Sequence, residues 1–294
     1  MFVSTRTIWA AYGAVTAAIV VTYARVDPAQ LYHVSGGGLA GGLSRAVVYA
    51  NFPLALVAAP LGVWAAARIA TRAAAALAAV AVVLCAVVVV PGVVDQADLD
   101  ARVVNLIPLA GVLVALGLEL AAPRHRLWVG RWRLVGILCL GLLSLVWLAA
   151  ELGFHVGFGV FLAGEQWDGH AAVHLGHHHG LDGMMLAATG LVLLGMPRRG
   201  ARAYAALMFA YGLVNGVQDG WTEQVVKRDW TAHEIPNALH PAANWSWLAI
   251  LLLGAVTFAV VETRRGAPEA PQADGDAARY GSAARKRAFL IARR

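Results

Sequence analysis

Long runs of apolar residues alternate with short polar connections along the chain, and the length of the runs carries the first conclusion. Eight of them stand out: 7–24, 46–67, 73–94, 103–122, 134–153, 177–196, 203–222 and 242–261. Crossing about 30 Å of hydrocarbon takes about 20 helical residues. Within a bilayer a single segment can satisfy its own backbone polar groups only as a helix. The pattern therefore predicts an all-α fold, a polytopic integral membrane helix bundle with about eight transmembrane helices. The first run follows Arg6 as a signal peptide would, but no small-residue cleavage site appears before Arg25, so it reads as a retained span.

Composition agrees with this solvent. Of 294 residues, 60% are hydrophobic and 14% charged, with a mean hydropathy of +0.65. A soluble domain has roughly 45–50% apolar and about 25% charged residues. The net charge of +6 is explained by topology rather than by a nucleic-acid partner. With eight spans, every one of the 23 Lys and Arg residues except Arg25, Arg45, Arg102, Lys227 and Arg228 falls on the side of the two termini. Cytoplasmic loops collect such residues, which predicts both termini cytoplasmic and a bacterial plasma (inner) membrane location. Residues 1–262 then form the membrane-embedded bundle. Residues 263–294, rich in Ala, Pro, Gly and charge, read as a disordered basic cytoplasmic tail. Cys85 and Cys139 sit inside apolar runs, without a disulfide framework or a C-x-x-C pair.

Candidate chemistry concentrates at the opposite, outer side. Every histidine except His125 lies at or beyond an outer span end, and Glu165, Asp168, Asp182, Asp219, Glu223 and Glu234 share that tilt. The strictly apolar part of the sixth run, 184–196, is too short to cross alone, so its outer turns must include His177, His178 and Asp182. The same count carries the seventh span through Asn215 and Asp219, and the fifth past Glu151. Ionisable groups at that depth face a bundle interior or a watery cavity and are functional candidates. Residues four apart share a helix face. Glu151 with His155, Asn215 with Asp219, and His240 with Asn244 form such pairs. A sixth helix starting near Asp168 would align His170, His174 and His177 or His178 into a stripe, with His179 pointing away.

Imidazoles suit zinc, iron or copper, and carboxylates complete such shells. The expected metal ligands are His155, His170, His174, His177, His178 and His240, with Glu151, Asp182 and Asp219 as acid–base groups. Asn215 and Asn244 would orient the ligating side chains. The predicted function is a membrane metalloenzyme acting on a lipid or other apolar substrate at the outer leaflet. Its cofactor is a divalent transition metal, zinc ahead of iron or copper, because carboxylates stand among the histidines and no thiolate does. Alternatives are a metal-ion or proton-coupled transporter and a bis-histidine haem protein, haem being the lesser expectation. Asn51–Pro53 and Asn105–Pro108 predict kinks in the second and fourth spans. The glycine-rich stretch 35–44 predicts a flexible outer loop.

The run HAAVHLGHHHG at 170–180 resembles the histidine boxes of membrane di-iron desaturases and hydroxylases, which use H-x3-H and H-x2-H-H patterns. The resemblance covers about ten residues and implies iron held by these imidazoles. Membrane zinc hydrolases, with His and Asp scattered over several helices, offer a looser parallel in architecture.

Overall fold

The computed structural model describes residues 1–25, 35–94, 100–151, 166–167, 170–171, 179–226 and 229–266. Contacts divide the chain into two units, Met1–Phe258 and Ala259–Arg294. In chain order the elements are β1 (Phe2–Ser4), α1 (Thr5–Arg25), α2 (Gly38–Tyr49), a π-helical turn (Ala50–Leu54) and α3 (Ala55–Ile69). They continue with α4 (Arg72–Ala86), α5 (Leu106–Ala121), β2 (Arg126–Trp128), α6 (Arg131–Glu151), β3 (Gln166–Trp167) and β4 (His170–Ala171). The last are α7 (His179–Leu193), α8 (Arg199–Trp221) and α9 (Trp245–Gly266).

The described chain is mostly helical, and five stretches in it are long and apolar enough to cross a membrane: Thr5–Arg25, Gly38–Ile69, Arg72–Val89, Val103–Ala121 and Trp245–Arg265. Val83, Leu120, Leu142, Leu252 and Val256 are all more than half exposed on helix surfaces. An apolar exterior on this scale suits hydrocarbon rather than water. The second unit is described over residues 259–266, the last turns of α9, where Thr263 Oγ1 donates back to the Ala259 carbonyl at 3.0 Å.

Local chemistry sets the boundaries. Pro53 lacks an N–H and its ring crowds the carbonyl four residues back, while the residue before a proline is pushed toward extended geometry. Phe52 accordingly leaves the helix, at φ −135° and ψ 124°. The expected kink of the second span is present. The expected kink at 105–108 is not: Val103–Asn105 form a 3-10 turn, and α5 starts at Leu106 with Pro108 in its first turn, where a missing N–H costs nothing. Thr71 caps α4 by accepting from the Ala74 N–H at 3.2 Å. Before it, Ala70 ends α3 in the left-handed region at φ 58°.

The stretch 35–44 also departs from expectation, because from Gly38 onward it is helix. Gly42 is buried where a Cβ would stand 2.4 Å from the Val20 carbonyl oxygen, so its hydrogen lets α2 close on α1. Arg45 locks this end: its guanidinium donates to the Gly36 and Gly41 carbonyls at 2.9 and 2.8 Å and pairs with Asp100 at 3.1 Å.

At the opposite end, β1 pairs antiparallel with β2, Phe2 opposite Trp128. Beside them lies a buried ion pair. Arg68 of α3 meets the fully buried Glu119 of α5, whose other oxygen accepts from Thr5 Oγ1 at 2.6 Å. Arg133 and Arg202 donate to carbonyls near the end of α7, at Leu191 and Met196. Helix C-termini attract such donors.

Candidate functional site

The most extensive helix contact among the described elements joins α7 to α8, and glycine makes it possible. A Cβ on Gly183 would lie 2.5 Å from the Gly212 carbonyl oxygen and 2.7 Å from the Gly216 nitrogen, and one on Gly190 would lie 2.7 Å from the Phe209 nitrogen. Small residues spaced by about one helical turn let two backbones touch, which is how helices associate where lipid offers no hydrophobic drive.

That seam brings two carboxylates together. Asp182, in the first turn of α7, and Asp219, in the last turn of α8, are each only 4% exposed. They lie within electrostatic range of one another. From α6, Trp147 donates its Nε1–H to Asp219 Oδ2 at 2.8 Å. Gly180 leaves room for this contact, since a Cβ there would fall 2.1 Å from the Trp147 indole and 2.5 Å from Asp219 Oδ2. Asp182 Oδ1 has no hydrogen-bond partner among the described residues. Two carboxylates withdrawn from water demand compensation by a cation, a proton or dense hydrogen bonding.

Asn215 and Asp219 fall on a shared face of α8 and both are buried, as their spacing predicts. Asn215 Nδ2 donates to the Tyr211 carbonyl at 2.9 Å, and its Oδ1 has no partner among the described residues. Glu151 closes α6, but its side chain lies outside the described residues, as do His155, His174, His177 and His178.

Two expectations require correction. His170 is not on a helix continuing into α7: it stands in β4, paired with Trp167 of β3. A helical stripe starting near Asp168 is therefore replaced at its first member. His240 and Asn244 are likewise not a helical pair, because α9 begins only at Trp245. Asn244 is its cap, accepting from the Trp247 N–H at 2.9 Å and donating to the Asn237 carbonyl at 3.0 Å. A capping asparagine engages backbone groups, and the helical spacing that paired it with His240 is absent. His240 sits half-buried in the preceding non-helical segment, and its Nδ1 has no partner among the described residues.

Other residues enter the site that the spacing argument passed over. His179, set aside by the spacing argument, opens α7, and its ring meets Phe52, in the kink, edge-on at 6.4 Å between centroids. Its position three residues before Asp182 was the available signal. Trp147 is a second, four residues before Glu151 on α6. Tyr12, Tyr49 and Tyr211 come from three other helices, each within electrostatic range of Asp182. Among the described residues, no group of three or more His, Cys, Asp or Glu side chains converges as metal ligands would. No protein-family model, curated protein or solved structure matches the chain.

Proposed function

We propose that the chain is an eight-span protein of the bacterial plasma membrane, with both termini in the cytoplasm; the expected tail from residue 263 starts later, because α9 continues to Gly266. Its function is that of a metal-dependent enzyme with a site at the outer leaflet, acting on a lipid or another apolar substrate. One observation carries this reading: two buried carboxylates, Asp182 and Asp219, stand at the close-packed ends of α7 and α8, and α7 follows the histidine-rich run 170–179 in the sequence. Negative charge at that depth is retained when a cation balances it.

In this reading His155, His170, His174, His177, His178 and His240 are the pool of imidazole ligands. Asp219 and Asp182 balance the charge, and either one or Glu151 serves as general base. Trp147 fixes the Asp219 carboxylate through its 2.8 Å hydrogen bond. A bound zinc ion would supply an activated water and polarise a carbonyl or phosphoryl oxygen, so hydrolysis is favoured over oxidation at iron or copper. The test is elemental analysis of the purified protein, with His174→Ala, His178→Ala and Asp219→Asn. Stoichiometric metal that falls in the variants is expected. Metal-free protein, or an unchanged content in all three, overturns the reading.

A second reading, a cation-coupled transporter, draws on the break in the second span at Phe52–Pro53, since transporters place ion sites at interrupted helices. Flux into vesicles separates it from an enzyme. A Soret band in the purified protein would instead point to haem.

A further inference from the structure

Three side chains inside the first unit bury oxygen atoms that have no hydrogen-bond partner among the described residues. Asn51, in the π-helical turn, is 0% exposed, with both Oδ1 and Nδ2 unengaged. Asn215 is 1% exposed and Asp182 4% exposed, each with an unengaged Oδ1.

They come from separate elements, and contacts made by their neighbours gather them. Phe52, next to Asn51, packs on His179 at 6.4 Å and on Tyr211 at 5.9 Å. Tyr49 donates its hydroxyl to Met185 Sδ at 3.5 Å. Asp182 lies three residues from both His179 and Met185, and residues three apart share a helix face. The face of α7 that carries Asp182 is therefore turned to the 49–52 segment. Asn215 follows Tyr211 by one turn on α8, and the backbone contact of Gly183 with Gly216 sets the neighbours Asp182 and Asn215 beside the same seam.

The inventory of orphan atoms indicates the ligand. These three side chains offer three such oxygens, one of them on a carboxylate, against the one amide nitrogen of Asn51. Leaving such groups unsatisfied in a low-dielectric interior is costly. A water molecule would answer the amides but would not balance a charge. A hard cation does both, because it binds oxygen ligands alone. One carboxylate neutralises one monovalent ion, and the second carboxylate in range, Asp219, is engaged by Trp147. The interrupted helix adds carbonyls released from the helical ladder beside Asn51.

We propose that Asn51 Oδ1, Asp182 Oδ1 and Asn215 Oδ1 form a binding site for a Na⁺-class monovalent cation at the break between α2 and α3. The site shares Asp182 with the metal centre proposed above but does not depend on it, and Asn51 belongs to this site alone.

The experiment uses the full-length protein in detergent, washed with chelator. Thermal unfolding is followed by tryptophan fluorescence while NaCl replaces choline chloride at constant ionic strength. A saturable rise in Tm of a few degrees with Na⁺, absent with choline, is expected. Asn51→Leu should weaken the Na⁺ response at least about tenfold, the loss of one good polar contact. Binding of radioactive Na⁺ to the wild-type protein, one ion per chain and displaced by unlabelled NaCl, gives a readout that needs no variant. Sub-stoichiometric binding overturns the proposal, and so does a Na⁺ response retained in Asn51→Leu. Orphan atoms answered by water would give the first of these results. Transition-metal content measured on the protein before the chelator wash keeps the two sites distinguishable: a Na⁺ response in protein that purifies without metal supports this inference while removing the enzyme reading.

Discussion

Gly212→Ala tests the packing on which the whole site depends. The added Cβ would stand 2.4 Å from the Gly183 carbonyl oxygen and 2.5 Å from the Ala187 nitrogen, where ordinary contact begins at 3.4 Å. Both obstacles are backbone atoms, which cannot rotate aside, so α7 and α8 must separate by about an ångström. Overpacking of this kind costs about 1–3 kcal/mol. The gain in helix propensity on replacing glycine, about 1 kcal/mol at most in water, does not offset backbone overlap. A fall in Tm of roughly 2–10 °C is expected, read by tryptophan fluorescence in detergent. Separation of the helices also draws Asp182 from Asp219 and Trp147 from its acceptor. Metal or Na⁺ retained by the purified protein should therefore fall with stability. Gly141→Ala on α6 and Gly117→Ala on α5, where nothing lies within 4 Å of a new Cβ, are the controls and should be neutral or slightly stabilising. Gly183→Ala widens the same gap, so the double variant should cost less than the sum of the singles. A Gly212→Ala protein as stable as wild type, or controls equally impaired, would refute the close-packed seam.

Further expectations concern the opposite end of the molecule. Glu119→Ala strands the Arg68 guanidinium in a buried setting and should cost about 3–5 kcal/mol, whereas Thr5→Val removes only a hydrogen bond to that carboxylate, about 1.5–3 kcal/mol; the order is checked by denaturation of both variants. Ala70→Gly relieves a left-handed alanine and should stabilise the protein by about 1 kcal/mol, measured as a rise in Tm. His125, in the loop after α5, has its pKa lowered by burial and then by the Arg68 charge. The folded protein therefore binds fewer protons here than the unfolded chain. Stability is held above the ordinary histidine value of 6.5 and declines as pH falls through it. His125→Gln should flatten that part of the stability–pH curve, and an unchanged slope would exclude the residue as its source.

Apolar run length and proline chemistry were legible in the chain because both act locally. A run of about 20 apolar residues can do little but form a helix in lipid, and Pro53 interrupts the one it sits in through its own missing N–H. The face shared by Asn215 and Asp219 was legible for the same reason, since helical periodicity is a property of one segment. Periodicity misled where a helix was assumed to extend too far: His170 entered a hairpin, and Asn244 became a cap rather than one member of a pair. It was silent on partners between segments. Only the tertiary structure pairs Trp147 with Asp219, turns His179 toward Phe52, and sets the 49–52 segment against α7. Those choices follow from where glycines let backbones touch, and that depends on two surfaces at once. A single string of residues specifies each surface but not which one it will meet.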